Sequence, residues 1–327
     1  WLVRARSRVD ECWRTRHALE GNWNKGIVAG AIAALVLVVM FTWRVADINP
    51  TTCDADYDPS DQVRGNFTVV VNTYKRPERL VKSIGHYSKC KGVDAIRIVW
   101  QETVAPPTEM ARGSKVPVIF DERGYNSLNN RFRPLDGVRT DAVFNVDDDM
   151  LVDCGSLYFA YETWTTSPNS IVGFNPRIHS KAKGSACAYD YKQWWHVWWS
   201  GKYSMVITKA AFCHHKYFEM YTNVLLQTIR DYIHERMNCE DIAMNFMVSN
   251  ATGLPPVWVQ GSYTDSGVFG GVSTGSNHLE KRKACMTQFT EWFGRMPLVT
   301  TSVAVTSLSS WTPMHTPPAI WEWFHPI

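Results

Sequence analysis

The chain has 327 residues, enough for one large domain or two small ones with a sizeable core. Its formal net charge is +3, and residues 1–25 supply that excess with six Arg or Lys against three Asp or Glu, so the remainder is neutral overall. A folded part without excess positive charge excludes nucleic acid as the main partner.

Residues 26–43, GIVAGAIAALVLVVMFTW, form an uncharged stretch of 18 residues. A helix of that length nearly spans the hydrocarbon core of a bilayer, and Trp23 and Trp43 flank it at interfacial positions. Because basic residues precede it, we predict a cytosolic tail at 1–25, a transmembrane signal anchor at 26–43, a stem at 44–64 and a luminal remainder. A cleaved signal peptide and a buried helix are the alternatives, and no small-residue cleavage site follows Trp43.

The chain has eight cysteines, and Cys12 falls in the predicted cytosolic tail. The other seven fall on the oxidising luminal side, so we expect one or more disulfides and at least one unpaired or intermolecular thiol. They are Cys53, Cys90, Cys154, Cys187, Cys213, Cys239 and Cys285. Glycosylation sequons beginning at Asn66 and Asn250 fit the same side of the membrane.

Short apolar runs that alternate with helical patterns predict βαβ units in a three-layer α/β domain. The predicted strands of the first half are 67–72, 95–100, 116–120 and 142–146, and Pro77 opens the first helix. In the second half we expect helices at 155–164, 209–221, 239–250 and 278–293, and strands at 171–174 and 203–207. Residues 300–327 are rich in Ser, Thr and Pro, so the predicted domain is 65–299 and a flexible tail follows it.

Three consecutive aspartates, Asp147, Asp148 and Asp149, follow the fourth predicted strand, where ligands of open α/β sheets bind. In an extended segment, Asp147 and Asp149 point to one side and Asp148 to the other. Two converging carboxylates repel each other unless a cation lies between them. Mg²⁺ and Mn²⁺ prefer oxygen ligands and complete their shells with substrate phosphates, so the pattern predicts a nucleoside-diphosphate site. The alternative is a solvated acidic turn or helix start.

Two polar loops offer further candidates for this site. Asn72, Thr73 and Arg76 follow the first strand and can hold a base or diphosphate, although Arg76 can instead pair with Glu78 or Glu109 at the surface. The run NSLNNRF, 126–132, offers asparagine amides and an arginine to a nucleotide, and a capped helix start is its alternative.

Glu240 and Asp241 open the predicted helix at 239–250. The helix dipole keeps such a carboxylate ionised, which is ordinary capping but also suits the stabilisation of an oxocarbenium ion. Four tryptophans around His196 can stack on sugars, and we expect at least two of them to pack in the core. They are Trp194, Trp195, Trp198 and Trp199.

Six motifs in chain order together resemble glycosyltransferase family 64: VNTYKR, NSLNNRF, NVDDDM, WWSGKYSMV, CEDIAMNF and HLEKRKAC. That family holds the exostosin-like N-acetylhexosaminyltransferases and related plant enzymes, and the tryptophan-rich run is most similar to plant glycosylinositol phosphorylceramide mannosyltransferases. The resemblance implies a GT-A fold, in which helices flank a Rossmann-like, mostly parallel sheet. It also implies dependence on Mn²⁺, with Mg²⁺ as an alternative, and transfer with retention of anomeric configuration.

The resemblance also implies individual roles. Asp149 matches the family's metal ligand, Asp241 matches its catalytic carboxylate, and Cys239 and Cys285 match its disulfide. Gln101 stands where animal members carry Asn, which bears on base selectivity. The residues expected to contact the nucleotide sugar, from the loops or from the family pattern, are Thr73, Arg76, Gln101, Asn130, Arg131, Asp147, Asp148, Glu240 and Arg282.

We therefore expect a type II enzyme of the Golgi membrane that moves a hexose, favoured as mannose from GDP-mannose, to a glycosylinositol phosphorylceramide glycan. Its expected partners are a nucleotide sugar, a glycolipid or glycan acceptor and the membrane, and a homo- or hetero-oligomer is compatible with the pattern. An enzyme of the same class that uses UDP-GlcNAc is the first alternative. A non-catalytic lectin-like or scaffold protein and a nucleotidyltransferase belong to different classes, and the intact carboxylates, the predicted topology and CEDIAMNF disfavour them.

Overall fold

The computed structural model describes residues 65–184, 188–267 and 277–307. The predicted tail, signal anchor and stem, residues 1–64, lie outside these ranges, as do residues 308–327. Within the described ranges, no helix combines the length and the apolar composition that a membrane span requires.

Strands and helices alternate along the described chain. The strands are β1 (Phe67–Thr73), β2 (Val93–Trp100), β3 (Val118–Glu122), β4 (Ala142–Asp147), β5 (Met150–Val152), β6 (Val172–Gly173), β7 (Pro176–Lys181), β8 (Tyr189–Lys192), β9 (Met205–Val206), β10 (Ala210–His214), β11 (Val257–Gln260), β12 (Tyr263–Asp265) and β13 (Ala304–Thr306). The α-helices are α1 (Pro77–Tyr87), α2 (Cys154–Thr165), α3 (Trp194–Ser200), α4 (Lys216–Asn223), α5 (Gln227–Arg236), α6 (Glu240–Thr252) and α7 (His278–Trp292). Short 3-10 helices lie at Thr108–Ala111 and Leu128–Phe132.

An eight-stranded sheet in the order β13-β11-β6-β10-β4-β1-β2-β3 forms the centre of the domain. Its strand pairs are parallel except where β10 lies antiparallel between β4 and β6. Smaller sheets pair β12 with β5 and order β8-β7-β9. The predicted α/β class with a mostly parallel sheet is confirmed.

Apolar side chains cover both faces of the central sheet. Successive residues of β1 alternate between two clusters, as a strand requires. Val69 and Val71 join the cluster that includes α1 and α2, whereas Val70 joins the cluster that includes α4 to α7. The sheet is therefore the middle of three layers.

Residues 209–221, predicted as one helix, instead form β10 and α4. Ala210, Ala211, Phe212 and Cys213 are all buried because β10 lies inside the sheet. A strand covered on both faces is a continuous apolar run, which periodicity does not distinguish from a buried helix.

The sheet continues past the predicted end of the domain at residue 299. Strand β13 pairs in parallel with β11, and Tyr203 forms a bridge with Thr301. Backbone hydrogen bonds therefore hold residues that we expected in a loose tail. The composition did not indicate this, because exposed Ser and Thr are compatible with a short edge strand as well as with a coil.

Two disulfides link helices within the described residues. Cys90, which follows α1, is bonded to Cys154 at the start of α2. Cys239, the N-cap of α6, is bonded to Cys285 of α7, the pair that the family resemblance implies. Cys213 is a free, buried thiol.

Gly173 of β6 provides a test of the sheet order. A Cβ there would lie 2.5 Å from the carbonyl oxygen of Ala210 and 2.7 Å from Cα of Ala211, both backbone atoms of β10. We predict that Gly173→Ala lowers the free energy of unfolding by about 1–3 kcal/mol, the usual effect of overpacking, measured by urea unfolding. Gly85→Ala is the control, because a Cβ at Gly85 in α1 would have no neighbouring atom within 4 Å and should be neutral or stabilising. Equal effects of the two variants would contradict this packing.

Candidate active site

The strand register brings several predicted site residues to one edge of the central sheet. Asn72 of β1 pairs with Asp147 of β4, and Thr73 pairs with Trp100 of β2. Because these strands are parallel, their carboxyl ends and the loops that follow meet at this edge. The predicted site thus lies where the sheet topology favours ligand binding.

Asp148 is the centre of a polar cluster at the end of β1. Its carboxylate accepts hydrogen bonds from the hydroxyl of Thr73 at 2.8 Å and from Nη1 of Arg76 at 3.0 Å. Ser83 of α1 donates to its backbone carbonyl at 3.2 Å. Burial raises the pKa of Asp148, although Thr73 and Arg76 act in the opposite direction. Both carboxylate oxygens are therefore engaged by this chain.

Asp149 has a carboxylate oxygen that lacks a partner. Its Oδ2 lies 3.4 Å from Nη1 of Arg76 and 3.5 Å from Nη1 of Arg79, so Arg76 faces the site and not the surface carboxylates that were its alternative partners. Its buried Oδ1 accepts no hydrogen bond within the described part of the chain. Burial, and next the charge of Asp147, raises the pKa of Asp149 to about 6. An added cation would stabilise this carboxylate.

The three aspartates do not continue as an extended strand. Strand β4 ends at Asp147, and Asp148 and Asp149 form a turn before β5. The predicted alternation is wrong, because Arg76 contacts Asp148 and Asp149 together while Asp147 pairs with Arg131. The turn therefore separates Asp147 from the other two aspartates, which share Arg76.

Gly267 lies directly against Asp149. A Cβ at this position would be 2.4 Å from Oδ2 of Asp149 and 3.2 Å from Oδ1 of Asp265. Ser266 donates its backbone N–H, at 2.9 Å, and its hydroxyl, at 3.1 Å, to the carbonyl oxygen of Asp149. Asp265 in turn pairs with Lys209. The absence of a side chain at Gly267 leaves room beside the carboxylate.

These observations fit a divalent cation at Asp149. The residue offers an unpartnered buried oxygen, its pKa is raised by burial and by neighbouring carboxylates, and a glycine leaves space next to it. Asp147 lies nearby with its side chain 30% exposed. Hard carboxylate oxygens suit Mg²⁺ or Mn²⁺.

Arg131 joins the sheet edge to helix α6. It is 3% exposed and pairs with Asp147 and, at 3.4 Å, with Oε1 of Glu240. The hydroxyl of Thr208 accepts another hydrogen bond from its Nη1 at 3.4 Å. Burial disfavours the guanidinium charge, but Asp147 and Glu240 outweigh burial and raise the pKa of Arg131. Arg131 is thus held by this chain's own carboxylates.

Asp241 and Arg282 form a buried ion pair between α6 and α7. Each side chain is 7% exposed. The guanidinium lies 4.7 Å above the ring of Tyr191 and donates to Oδ1 of Asn238 at 3.4 Å. Asp241 also accepts the backbone N–H of Ile242 at 2.8 Å, in the first turn of α6. The carboxylate of Asp241 is therefore held in place by a guanidinium and by a backbone N–H.

Glu240, one position before Asp241, has different electrostatics. It is 8% exposed, and burial, followed by the charge of Asp241, raises its pKa to about 7 against the opposing effect of Arg131 and Arg282. The two neighbouring carboxyl groups therefore divide their roles. Burial disfavours the ionised form of Glu240, whereas the carboxylate of Asp241 is closely paired with Arg282.

The structure gives Gln101 a role other than the predicted nucleotide contact. Its Nε2 donates to Oδ1 of Asn72 at 3.0 Å and to the carbonyl of Thr73 at 3.4 Å. Its Oε1 accepts from the backbone N–H of Ser127 at 2.9 Å and from Nδ2 of Asn130 at 3.1 Å. Gln101 thus uses its amide to join three loops, and its predicted nucleotide contact stays a prediction.

Asn130 retains one unused acceptor. It is 0% exposed, and its Nδ2 also donates to the carbonyl of Tyr125 at 2.7 Å. Its Oδ1 is buried and has no partner within the described ranges. An unpaired buried acceptor costs stability unless a donor reaches it, and the predicted nucleotide contact of Asn130 stays a prediction.

Helix α3 does not bury its tryptophans as predicted. Trp195, Trp198 and Trp199 are 43%, 50% and 83% exposed, and Trp194 is half-buried. The expectation that at least two of the four lie in the core is wrong, because this short helix meets the domain through Val197, which is 2% exposed.

Some site residues were missed by sequence reasoning. Arg79 lies three positions after Arg76, the spacing of one helical turn, so the pattern could have indicated it. Tyr191 and Gly267 reach the site only through long-range contacts, for which the local sequence carries no signal. The predicted glycosylation acceptors Asn66 and Asn250 are both exposed, and glycosylation there stays a prediction.

The amino-acid sequence of this chain is similar to those of known glycosyltransferases. A family model, the glycosyl transferase family 64 domain, matches residues 67–311. Glycosylinositol phosphorylceramide mannosyl transferase 1 of Arabidopsis thaliana is 42% identical over 271 residues, which cover 77% of this chain and 80% of the relative. Human Exostosin-2 is 34% identical over 241 residues, which cover 71% of this chain but only 33% of the relative, so the chain spans about a third of its length.

Among solved structures, the mannosyltransferase PcManGT from Pyrobaculum calidifontis, in complex with GDP-Man and Mn²⁺, matches with a TM-score of 0.33 and 14% identity. The match covers 59% of this chain and 56% of that one. The family match and the Arabidopsis relative together show that this chain belongs to glycosyltransferase family 64 and is a glycosyltransferase.

Proposed function

We propose that this enzyme transfers mannose from GDP-mannose, with retention of configuration, to the glycan of a glycosylinositol phosphorylceramide. The name and 42% identity of the Arabidopsis relative support mannose as the transferred sugar and a glycosylinositol phosphorylceramide as the acceptor. The observation that carries the catalytic assignment is the placement of two carboxylates. Asp149 has an unpartnered oxygen, and Asp241 is held by Arg282, at the sheet edge that Arg131 joins to α6.

Asp149, with Asp147 nearby, would hold Mn²⁺ or Mg²⁺ in a GT-A arrangement. A bound divalent cation would supply neutralisation of the diphosphate leaving group. Arg76 and Arg79 point their guanidiniums at the same carboxylate, so they border the diphosphate position with positive charge. Asn130 would accept a hydrogen bond from the base through its free Oδ1.

Asp241 would stabilise the positive charge that develops at the anomeric carbon. Its carboxylate is fixed before the substrate arrives, because Arg282 and the N–H of Ile242 hold it. A preorganised charge does not have to reorient during the reaction. Departure of the diphosphate and attack by the acceptor on the same face of the sugar would give retention.

We also propose the Golgi membrane as the location, with residues 26–43 as a type II anchor and the catalytic domain in the lumen. The uncharged stretch and the basic residues before it support this topology. A second candidate donor is UDP-GlcNAc, the alternative that the resemblance to exostosin-like N-acetylhexosaminyltransferases implies.

The donor is tested by a thermal-shift panel. We predict that GDP-mannose with Mn²⁺ raises the Tm of the full chain by several degrees, because a ligand that binds only the folded state stabilises it. UDP-GlcNAc and UDP-GlcA should have no effect, and chelation of the metal should remove the shift. Asp149→Asn should abolish the metal-dependent part of the Tm shift. Asp94→Asn, which changes an exposed ion pair with Arg139, should retain that part. A shift with UDP sugars alone would overturn the proposed donor.

The role of Asp241 is tested by Asp241→Asn. We predict a fall in kcat of at least about 100-fold, the usual loss when a preorganised transition-state contact is removed, with little change in donor affinity. The measurements are mannose transfer and the donor-induced shift in Tm, and the retained shift shows that the variant is folded. Unchanged turnover with a normal shift would contradict the assignment.

Glu240 gives a pH prediction for stability. Its pKa rises from about 4.5 to about 7 on folding, so between these values the folded chain holds a proton that the unfolded chain has lost. The free energy of unfolding therefore falls as pH rises through this window, by up to about 1.4 kcal/mol per pH unit from this group. Glu240→Gln should remove that slope in urea unfolding with chelator present. Glu280→Gln, at an exposed side chain, should leave it unchanged, and equal slopes for all three proteins would contradict the shift.

A further inference from the structure

Helix α3 presents three tryptophans to solvent, and Trp195, Trp198 and Trp199 are here called the Trp face. Their exposed fractions are 43%, 50% and 83%. The helix is fixed from below by Val197 and ends at Gly201, whose left-handed φ is 64°. Tryptophan is normally among the more buried residue types. Neighbouring exposed aromatic side chains mark an interaction surface.

Basic residues flank the Trp face on both sides in the chain. Residues 176–204 have five Arg or Lys against one Asp, a net charge of +4 in a chain whose part after residue 25 is neutral overall. The basic residues are Arg177, Lys181, Lys183, Lys192 and Lys202.

Much of this charge is available at the surface. Lys181 ends β7, Lys183 follows it, Lys202 follows α3, and all three are exposed. Asp190, the acidic residue of this stretch, pairs with Lys192 at 2.9 Å. Exposed aromatic rings, with positive charge on the chain segments to either side, are complementary to a bilayer that has an apolar interior and anionic headgroups.

The Trp face is joined to the catalytic ion pair by a short path. Strand β8 leads directly into α3, and β7 pairs with β8 through His179 and Tyr191. The ring of Tyr191 packs under the guanidinium of Arg282, which pairs with Asp241. Helix α3 also packs on β7. The face therefore lies on the small sheet that supports the catalytic carboxylate.

We propose that the Trp face docks the catalytic domain on the luminal leaflet of the bilayer, where that leaflet displays anionic, phosphate-bearing lipid headgroups. Tryptophan rings favour the headgroup level of a bilayer, and lysines next to an anionic leaflet add electrostatic attraction. The docking does not rest on the donor or acceptor proposed above. With a glycolipid acceptor, it presents the headgroup glycan to Asp241 without lifting the lipid out of the membrane.

The test uses the full chain in vesicles whose phosphatidylcholine carries brominated acyl chains, prepared with and without phosphatidylserine. Bromine quenches tryptophan emission at short range, and the difference between wild type and Trp199→Phe isolates the emission of Trp199. Roughly half of that emission should be lost in the anionic vesicles, since an interfacial ring lies at headgroup depth. The difference between wild type and Trp100→Phe, which isolates the emission of Trp100, is the matched control. Bromine should not quench that emission, because Trp100 is 4% exposed within the sheet.

The electrostatic part is tested by a Lys181→Gln, Lys183→Gln, Lys202→Gln triple variant. Its Trp199 emission should recover in the anionic vesicles, and added salt should have the same effect on wild type. A Trp199 signal that bromine never quenches would overturn the proposal. So would protection of Trp199 by a soluble inositol glycan without bromine quenching, which would assign the face to the acceptor sugar. Dependence of the signal on protein concentration without lipid would overturn it in favour of a second copy of the chain.

Discussion

The buried guanidinium of Arg131 is the interaction on which the site depends. It joins Asp147, at the end of β4, to Glu240, at the start of α6. Removing one partner from such a buried network costs about 3–5 kcal/mol, because the remaining charges lose their compensation. The guanidinium therefore adds a polar link between the end of β4 and the start of α6. Apolar packing also joins these elements, because Val143 of β4 and Ile242 of α6 belong to one buried cluster.

The same network explains which groups stay available to a substrate. Three carboxylates at the sheet edge and the catalytic helix have a close guanidinium partner: Asp148 has Arg76, Asp147 has Arg131, and Asp241 has Arg282. Asp149 and Glu240 have only longer contacts with a guanidinium, at 3.4 Å, and their pKa values rise to about 6 and about 7. At the sheet edge, Asp149 is thus the carboxylate whose negative charge is least compensated, and it is the position that fits a cation. The closely paired carboxylates instead fix the positions of the elements that carry them.

Much of the fold and part of the site follow from local sequence. The apolar runs that end at Thr73, Trp100 and Asp147 predict parallel strands, and parallel strands place their loops at one edge. Strand β10 was missed because both of its faces are buried, so its sequence lacks the alternation of apolar and polar residues that indicates a strand. The turn at Asp148 and the interior role of Gln101 depend on partners distant in sequence, Arg76 and Asn130, which no local pattern specifies. For helix α3 the prediction of burial was wrong, since its tryptophan-rich composition indicates burial but its position leaves three of the tryptophans exposed.

The disulfides have a consequence for where the enzyme becomes competent. The Cys90–Cys154 bond closes 64 residues that include Asp147, Asp148 and Asp149, and the Cys239–Cys285 bond closes 46 residues that run from the start of α6 into α7. Crosslinks of this kind act mainly by restricting the unfolded chain. A newly made copy in a reducing environment keeps the apolar layers but lacks the covalent tie between the helices of Asp241 and Arg282. Oxidation thus adds covalent ties between the segments that carry the site residues, which the apolar layers alone do not supply.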